Sequence, residues 1–159
     1  QAHVSIHDRT VVDAALERAE NTGAAAAAIE LPDGKILTGK TSNLLGPSAA
    51  LILNALKDLA GIDHNLHVIS PTAIEPIQKV KTQYLGSKNP RLHIDEILIA
   101  LSISSAANPA AQLAMEQLPK LKGCQVHTSV MLSSVDIKLF KKLGIQLTCE
   151  PKYEHNPIY

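Results

Sequence analysis

The chain has 159 residues, fifteen Lys+Arg against fifteen Asp+Glu, and 3% aromatic residues with no tryptophan. One domain of that length buries roughly 70% of its unfolded surface, while zero net charge and scarce aromatics disfavour a nucleic-acid coat or a stacking platform for single strands. Two cysteines, no apolar run of spanning length and no basic-then-apolar leader place the chain in a reducing, cytoplasmic setting away from membranes.

Val11, Val12, Ala15, Leu16 and Ala19 recur at helical spacing over 8–20, with Asp8 as the N-cap and Asn21-Thr22-Gly23 as the stop. The alanines at 24–28 favour helix by propensity, but Gly23 precedes them and Pro32-Asp33-Gly34 is a strong turn signal, so a hairpin over 25–31 and 35–39 is predicted. A strand of methyl side chains lets a helix approach the sheet closely. Residues 47–60 are apolar on most sides and read as a buried helix. A short buried strand at 67–70 follows, then a crossover helix over 71–85 whose Pro71 sits where a missing N–H is harmless. After a polar loop at 86–90 comes a helical pair within 92–118, broken at Ala107-Asn108-Pro109 because proline disfavours helix in the residue before it. A strand at 125–132, a helix at 134–143, a strand at 145–149 and an extended tail complete the order.

Strands alternating with crossover helices imply an α/β layered sandwich: a mixed sheet with an N-terminal β-hairpin and helices on both faces. The organisation is a lead-in helix over 1–22, the α/β domain over 23–150 and a tail over 151–159. Ligands in such sheets sit beyond the carboxyl ends of parallel strands, where helix N-termini gather.

Gly34-Lys35-Ile36-Leu37-Thr38-Gly39-Lys40-Thr41 matches the phosphate-loop pattern by letters, yet that motif needs a strand before the first glycine and a helix at the lysine. Here 35–38 reads as the second hairpin strand, and Gly46-Pro47 would cut any helix begun at Lys40. Cys124, His127, Cys149 and His155 have zinc-binding chemistry without zinc-binding spacing; two buried thiols and a surface histidine account for them, and no cofactor is expected. His3, His7, His64, His67 and His93 are scattered as solvated or capping residues. Asp95-Glu96, Glu17/Glu20 and Lys138, Lys141, Lys142 read as solvated helix faces, and no Ser occupies a nucleophile elbow.

Two features carry a functional reading beside a structural one. Asn54 interrupts an apolar helix, where its amide serves either as a structural hydrogen bond or as an orienting group. Small polar and cationic residues stand before predicted helices: Lys40-Thr41-Ser42, Ser70-Pro71-Thr72 and Ser133-Ser134. They are either N-caps or, where helix N-termini converge, donors to an anion. The candidate anion site is therefore Lys40, Thr41, Ser42, Ser70 and Ser133, with Asn54 and His127 as orienting or proton-transfer groups.

The stretches Ile29-Glu-Leu-Pro-Asp-Gly-Lys, Thr38-Gly-Lys-Thr-Ser42, Asn54-Ala-Leu-Lys57, Ile74-Glu-Pro-Ile77, Asn89-Pro-Arg-Leu92 and Leu147-Thr-Cys-Glu-Pro151 resemble the C-terminal part of a bacterial family catalogued as domain of unknown function 1846. The resemblance implies a fragment of a longer protein, whose remaining domains are partners, and a cytidine-deaminase-like topology. It carries no established activity. Deaminases place zinc ligands at the start of the helix after the hairpin and of the helix after the next strand, where Gly46-Pro-Ser-Ala-Ala50 and Ser70-Pro-Thr-Ala-Ile74 hold none. The expectation is a non-zinc domain binding a small phosphate- or carboxylate-bearing metabolite. Its rival is an assembly module whose apolar helices pack against missing domains or a second copy.

Overall fold

A computed structural model describes the backbone of residues 6–153, with side chains from Thr10 onward. The first apolar stripe folds as α1 (Ile6–Thr22), which starts ahead of Asp8, so that residue is inside the helix and not its N-cap. The alanine run forms β1 (Ala26–Glu30), joined to β2 (Ile36–Lys40) as an antiparallel hairpin. Its turn is closed by Leu31 N–H donating to the Lys35 carbonyl at 2.8 Å, with Gly34 at φ 89°, a conformation that L side chains avoid.

Four strands make one mixed sheet in the order β2-β1-β3-β4, where β3 is Gln125–Thr128 and β4 is Gln146–Cys149. β1 pairs with β3 antiparallel and β3 with β4 parallel. Alternation along β1 assigns the two faces. On one, Val11 and Ala15 of α1 pack against Ala28, the close approach that methyl side chains permit. On the other, Ala27, Ile29 and Val126 meet Leu51, Ile52 and Leu56 of α2 (Pro47–Leu59), Ile97 and Leu101 of α4 (Ile94–Ser105) and Phe140 of α6 (Ser134–Lys142). That face holds the main core.

The strand expected at 67–70 is absent. Val68 and Ile69 are buried, but in irregular backbone. Both edges of β1 are occupied by β2 and β3, so these two residues reach the core through side chains alone. Ser70 then caps α3 (Pro71–Lys79) by accepting from Thr72 N–H at 3.2 Å. Pro76 lies inside α3, and the chain continues as a π-helical turn over Val80–Tyr84. The helical pair breaks where expected: Asn108 caps α5 (Pro109–Glu116), accepting from Ala110 N–H at 3.0 Å. β3 is shorter than the predicted 125–132 because the chain turns after Thr128, whose hydroxyl donates to the Val130 carbonyl at 2.7 Å.

Candidate functional site

Three helices begin around one cavity, and hydrogen bonds between distant segments hold them there. Leu45 and Leu92 form a parallel bridge; Gly46 N–H, the N-cap of α2, donates to the Leu92 carbonyl at 3.2 Å. His93 is the N-cap of α4, and the next residue, Ile94, donates its N–H to Asp136 Oδ1 at 3.1 Å. Asp136 belongs to the first turn of α6, where its own N–H donates to the N-cap Ser133 Oγ at 3.3 Å. The starts of α2, α4 and α6 thus enclose a cavity of about 340 Å³, with Pro47, Leu92, Val130 and Met131 among its apolar walls and Arg91, His93, Ser133 and Asp136 among its polar ones.

Two of these polar groups are electrostatically unusual. Arg91 is anchored through Nε, which donates to the Ser42 carbonyl at 2.6 Å, while its Nη1 is buried without a hydrogen-bond partner. Asp136 is 6% exposed. Burial pushes its carboxyl above the ordinary carboxylate range; His93 and the Ile94 N–H pull it back, and Asp95 and Glu96 raise it further. Glu96 is no solvated bystander. Its Oε1 accepts from His93 N–H at 2.8 Å and from the buried Lys81 ammonium at 2.9 Å, and Lys81 also donates to the Arg91 carbonyl at 2.5 Å. Asp95 Oδ1 accepts from Glu96 N–H at 2.8 Å. These acids organise the head of α4, a correction to their reading as a solvated face.

The residues singled out in the sequence are not brought to one place. Ser133 lines the cavity just described, whereas Lys40, Ser42 and Asn54 line another, of about 610 Å³, between α1, β2 and α2. Ser70 is exposed, bonds with Thr72 and lines neither. Thr41 is buried and its hydroxyl has no hydrogen-bond partner. Ser42 Oγ accepts from Leu44 N–H at 3.2 Å and Leu45 N–H at 3.1 Å, pinning the loop before α2. Asn54 makes the structural bond, Nδ2 donating to the Thr38 carbonyl at 3.1 Å. His127, expected at the surface, is 4% exposed on the α1 face; Nδ1 meets Thr148 Oγ1 at 2.6 Å and Nε2 meets Glu150 Oε2 at 2.8 Å. The phosphate-loop letters fall on extended β2 backbone.

Among the described residues no group of three or more His, Cys, Asp and Glu is placed to hold a metal ion; Cys124 is buried, with its thiol pushed up by burial, and Cys149 is half-buried. His3, His155 and the His7 side chain lie outside the described residues. Sequence reasoning missed Arg91, His93 and Asp136, which come from two segments far apart. The available signal was capping spacing: Ser133-x-x-Asp136 and His93-x-x-Glu96 each set an acid three residues after an N-cap.

The model for the C-terminal region of the domain of unknown function DUF1846 matches residues 7–159. A UPF0371 protein of Corynebacterium efficiens is 57% identical over the whole chain, which covers 32% of that protein. One of Corynebacterium urealyticum is 56% identical over 98% of the chain and 31% of its own length, and one of Streptococcus uberis 49% identical over 98% and 32%. The chain spans about a third of the length of these bacterial relatives. No helix among the described residues is long and apolar enough to cross a membrane.

Proposed function

The chain belongs to the family of unknown function DUF1846, and from that premise we propose that this domain binds a small metabolite through a carboxylate or phosphate, in the cavity where α2, α4 and α6 begin. The observation that carries the reading is Arg91. A guanidinium that lines the cavity and is fixed at Nε, with an Nη1 that meets no acceptor, is a cation held in place for a carboxylate or phosphate. Helix N-termini add partial positive charge on the same side, and the apolar walls suit the body of the ligand. Of the residues expected from sequence, Ser133 keeps its place in this site and Arg91 takes the role given to Lys40. His93 and the buried Asp136 are the groups able to hold or pass a proton to the ligand.

A cytidine-deaminase-like arrangement fits this reading. The helix after the hairpin is α2, and the helix after the next strand, β3, is α6. Those are the two helix starts at which deaminases hold zinc, and here they carry Gly46-Pro47 and Ser133-Ser134, with no ligand set. The test is a thermal-shift screen of phosphate- and carboxylate-bearing metabolites, with hits taken to calorimetry on wild type and Arg91→Ala. A ligand at a hundred times its Kd stabilises the fold by about 2.7 kcal/mol. A hit that binds Arg91→Ala as well as wild type, or no hit with either this chain or a full-length relative, ends the proposal.

A second reading, an assembly surface, rests on Ile99 and Ile103, one turn apart on α4, and Leu113 on the neighbouring α5, which are 59%, 70% and 49% exposed. Soluble domains rarely leave such residues clustered without a partner. This face would pack against other parts of the longer protein. Sedimentation of the chain with Ile99→Lys and Ile103→Lys, beside wild type, tests it: a monomeric wild type indistinguishable from the variant, with a full-length relative equally indifferent to the two changes, removes the reading.

A further inference from the structure

The second cavity, of about 610 Å³, is enclosed by α1, β2, α2 and the loop after α2. Arg18, Lys40 and Lys57 line it, against a single carboxylate, Asp58. That carboxylate is already engaged, since Lys35 Nζ lies 2.7 Å from its Oδ1. Three cations therefore face the space with no uncommitted acid among its lining side chains.

Lys57 distinguishes this cavity from a merely basic surface. It is 7% exposed, a burial that lysine seldom accepts without a counter-ion. Its ammonium donates to the His64 carbonyl at 2.7 Å and, among the described residues, makes no ion pair. An ammonium has three donors, and one is accounted for. Burial lowers its pKa and Asp63 partly offsets that, so an anion alongside would relieve a cost the fold already bears. Ser42 and Asn54 add small polar groups to the wall, and Ile36 and Ile62 an apolar side. Its lining holds no Phe, Tyr or Trp, and His64 is its one ring.

We infer that this cavity is a second binding site, distinct from the one at Arg91, for a small metabolite bearing two anionic groups of which at least one is a phosphate. Three uncommitted cations match two anionic groups when at least one is a phosphate, which carries up to two charges, and the volume lies within the range of small-molecule pockets. Lys40 and Arg18, both exposed, meet the outer anionic group, and Lys57 the inner one. Backbone phosphate-loop chemistry has no part in it, since Gly34 to Thr41 is hairpin.

Inorganic pyrophosphate is the probe, titrated calorimetrically into the whole chain at low salt. Wild type is expected to bind one equivalent saturably. Arg18→Ala and Lys40→Ala each weaken it about fivefold, the double variant by the product of the two, and Lys57→Met abolishes it. The two exposed changes leave the thermal midpoint unaltered, so their effect is read free of unfolding. Arg91→Ala leaves pyrophosphate affinity unchanged. The inference is overturned if wild type shows no saturable binding up to about 10 mM, if the double variant binds like wild type, or if Arg91→Ala removes the binding while the double variant keeps it.

Discussion

Replacing Gly39 by alanine tests how closely the hairpin and α2 approach. A Cβ at this β2 position would stand 2.5 Å from Leu51 N, 2.7 Å from Leu51 Cα and 3.0 Å from Ala50 C, where ordinary contact begins at 3.4 Å. The opposing atoms are helix backbone, so no rotamer change relieves the clash; α2 must move by about 1 Å, disturbing Leu51, Ile52 and Leu56 in the main core. Overpacking of this kind costs typically 1–3 kcal/mol, and backbone-on-helix contact puts Gly39→Ala at the upper end, about 3 kcal/mol. For a chain of this size that lowers the thermal midpoint by about 6–12 °C. Gly34→Ala is the control. Nothing lies within 4 Å of a Cβ there and only the positive φ is strained, at about 1–2 kcal/mol. Circular-dichroism melts and urea midpoints of the two variants decide the matter: a Gly39→Ala protein as stable as wild type, or less perturbed than Gly34→Ala, would refute the argument from close approach.

Ser133→Ala removes the cap of α6 and is expected to cost about 1 kcal/mol, read as a urea-midpoint shift; no shift would mean the 3.3 Å bond to Asp136 N–H contributes nothing. Asp136 has a folded pKa above its ordinary 3.8, so its ionisation weighs against the fold: stability is gained as pH falls through the raised value and is complete below the unfolded one. Wild type should therefore gain on Asp136→Asn as pH drops from neutral toward 4, and parallel pH profiles of the two urea midpoints would contradict the attribution. His127→Ala deprives Thr148 and Glu150 of their shared partner and empties a buried site; a loss of about 2 kcal/mol is expected, with metabolite binding at Arg91 intact, and impaired binding would return His127 to the site.

What could be read from the sequence was what neighbours in the chain decide. Pro32-Asp33-Gly34 marked the hairpin turn, Asn108-Pro109 the break between α4 and α5, and the alanine run a strand that a helix can approach closely. The false strand at 67–70 had the right residues, Val68 and Ile69 being buried; it failed because the vacant edge of β1 goes to β3, a pairing that no local pattern announces. The site followed the same rule. Of the two roles open to serines before helices, Ser70 and Ser133 take that of caps, but which helix starts meet depends on the Leu45 and Leu92 bridge and the bond from Ile94 to Asp136. Both join segments more than forty residues apart. A lysine on a strand, Lys40, was conspicuous; an arginine in a polar loop, Arg91, was not.

The pairing of Ala27 with Thr128 also sets a timetable for synthesis. When β1 leaves the ribosome its hairpin partner β2 follows within seconds, yet its other side waits for about a hundred more residues, roughly 5 to 20 s at ordinary elongation rates. During that interval a central strand behaves as an edge, open to pairing with another nascent chain. That the waiting edge offers two alanines and the charged Glu30, with Ile29 its one bulky apolar side chain, leaves little to reward a wrong partner and makes the delay tolerable.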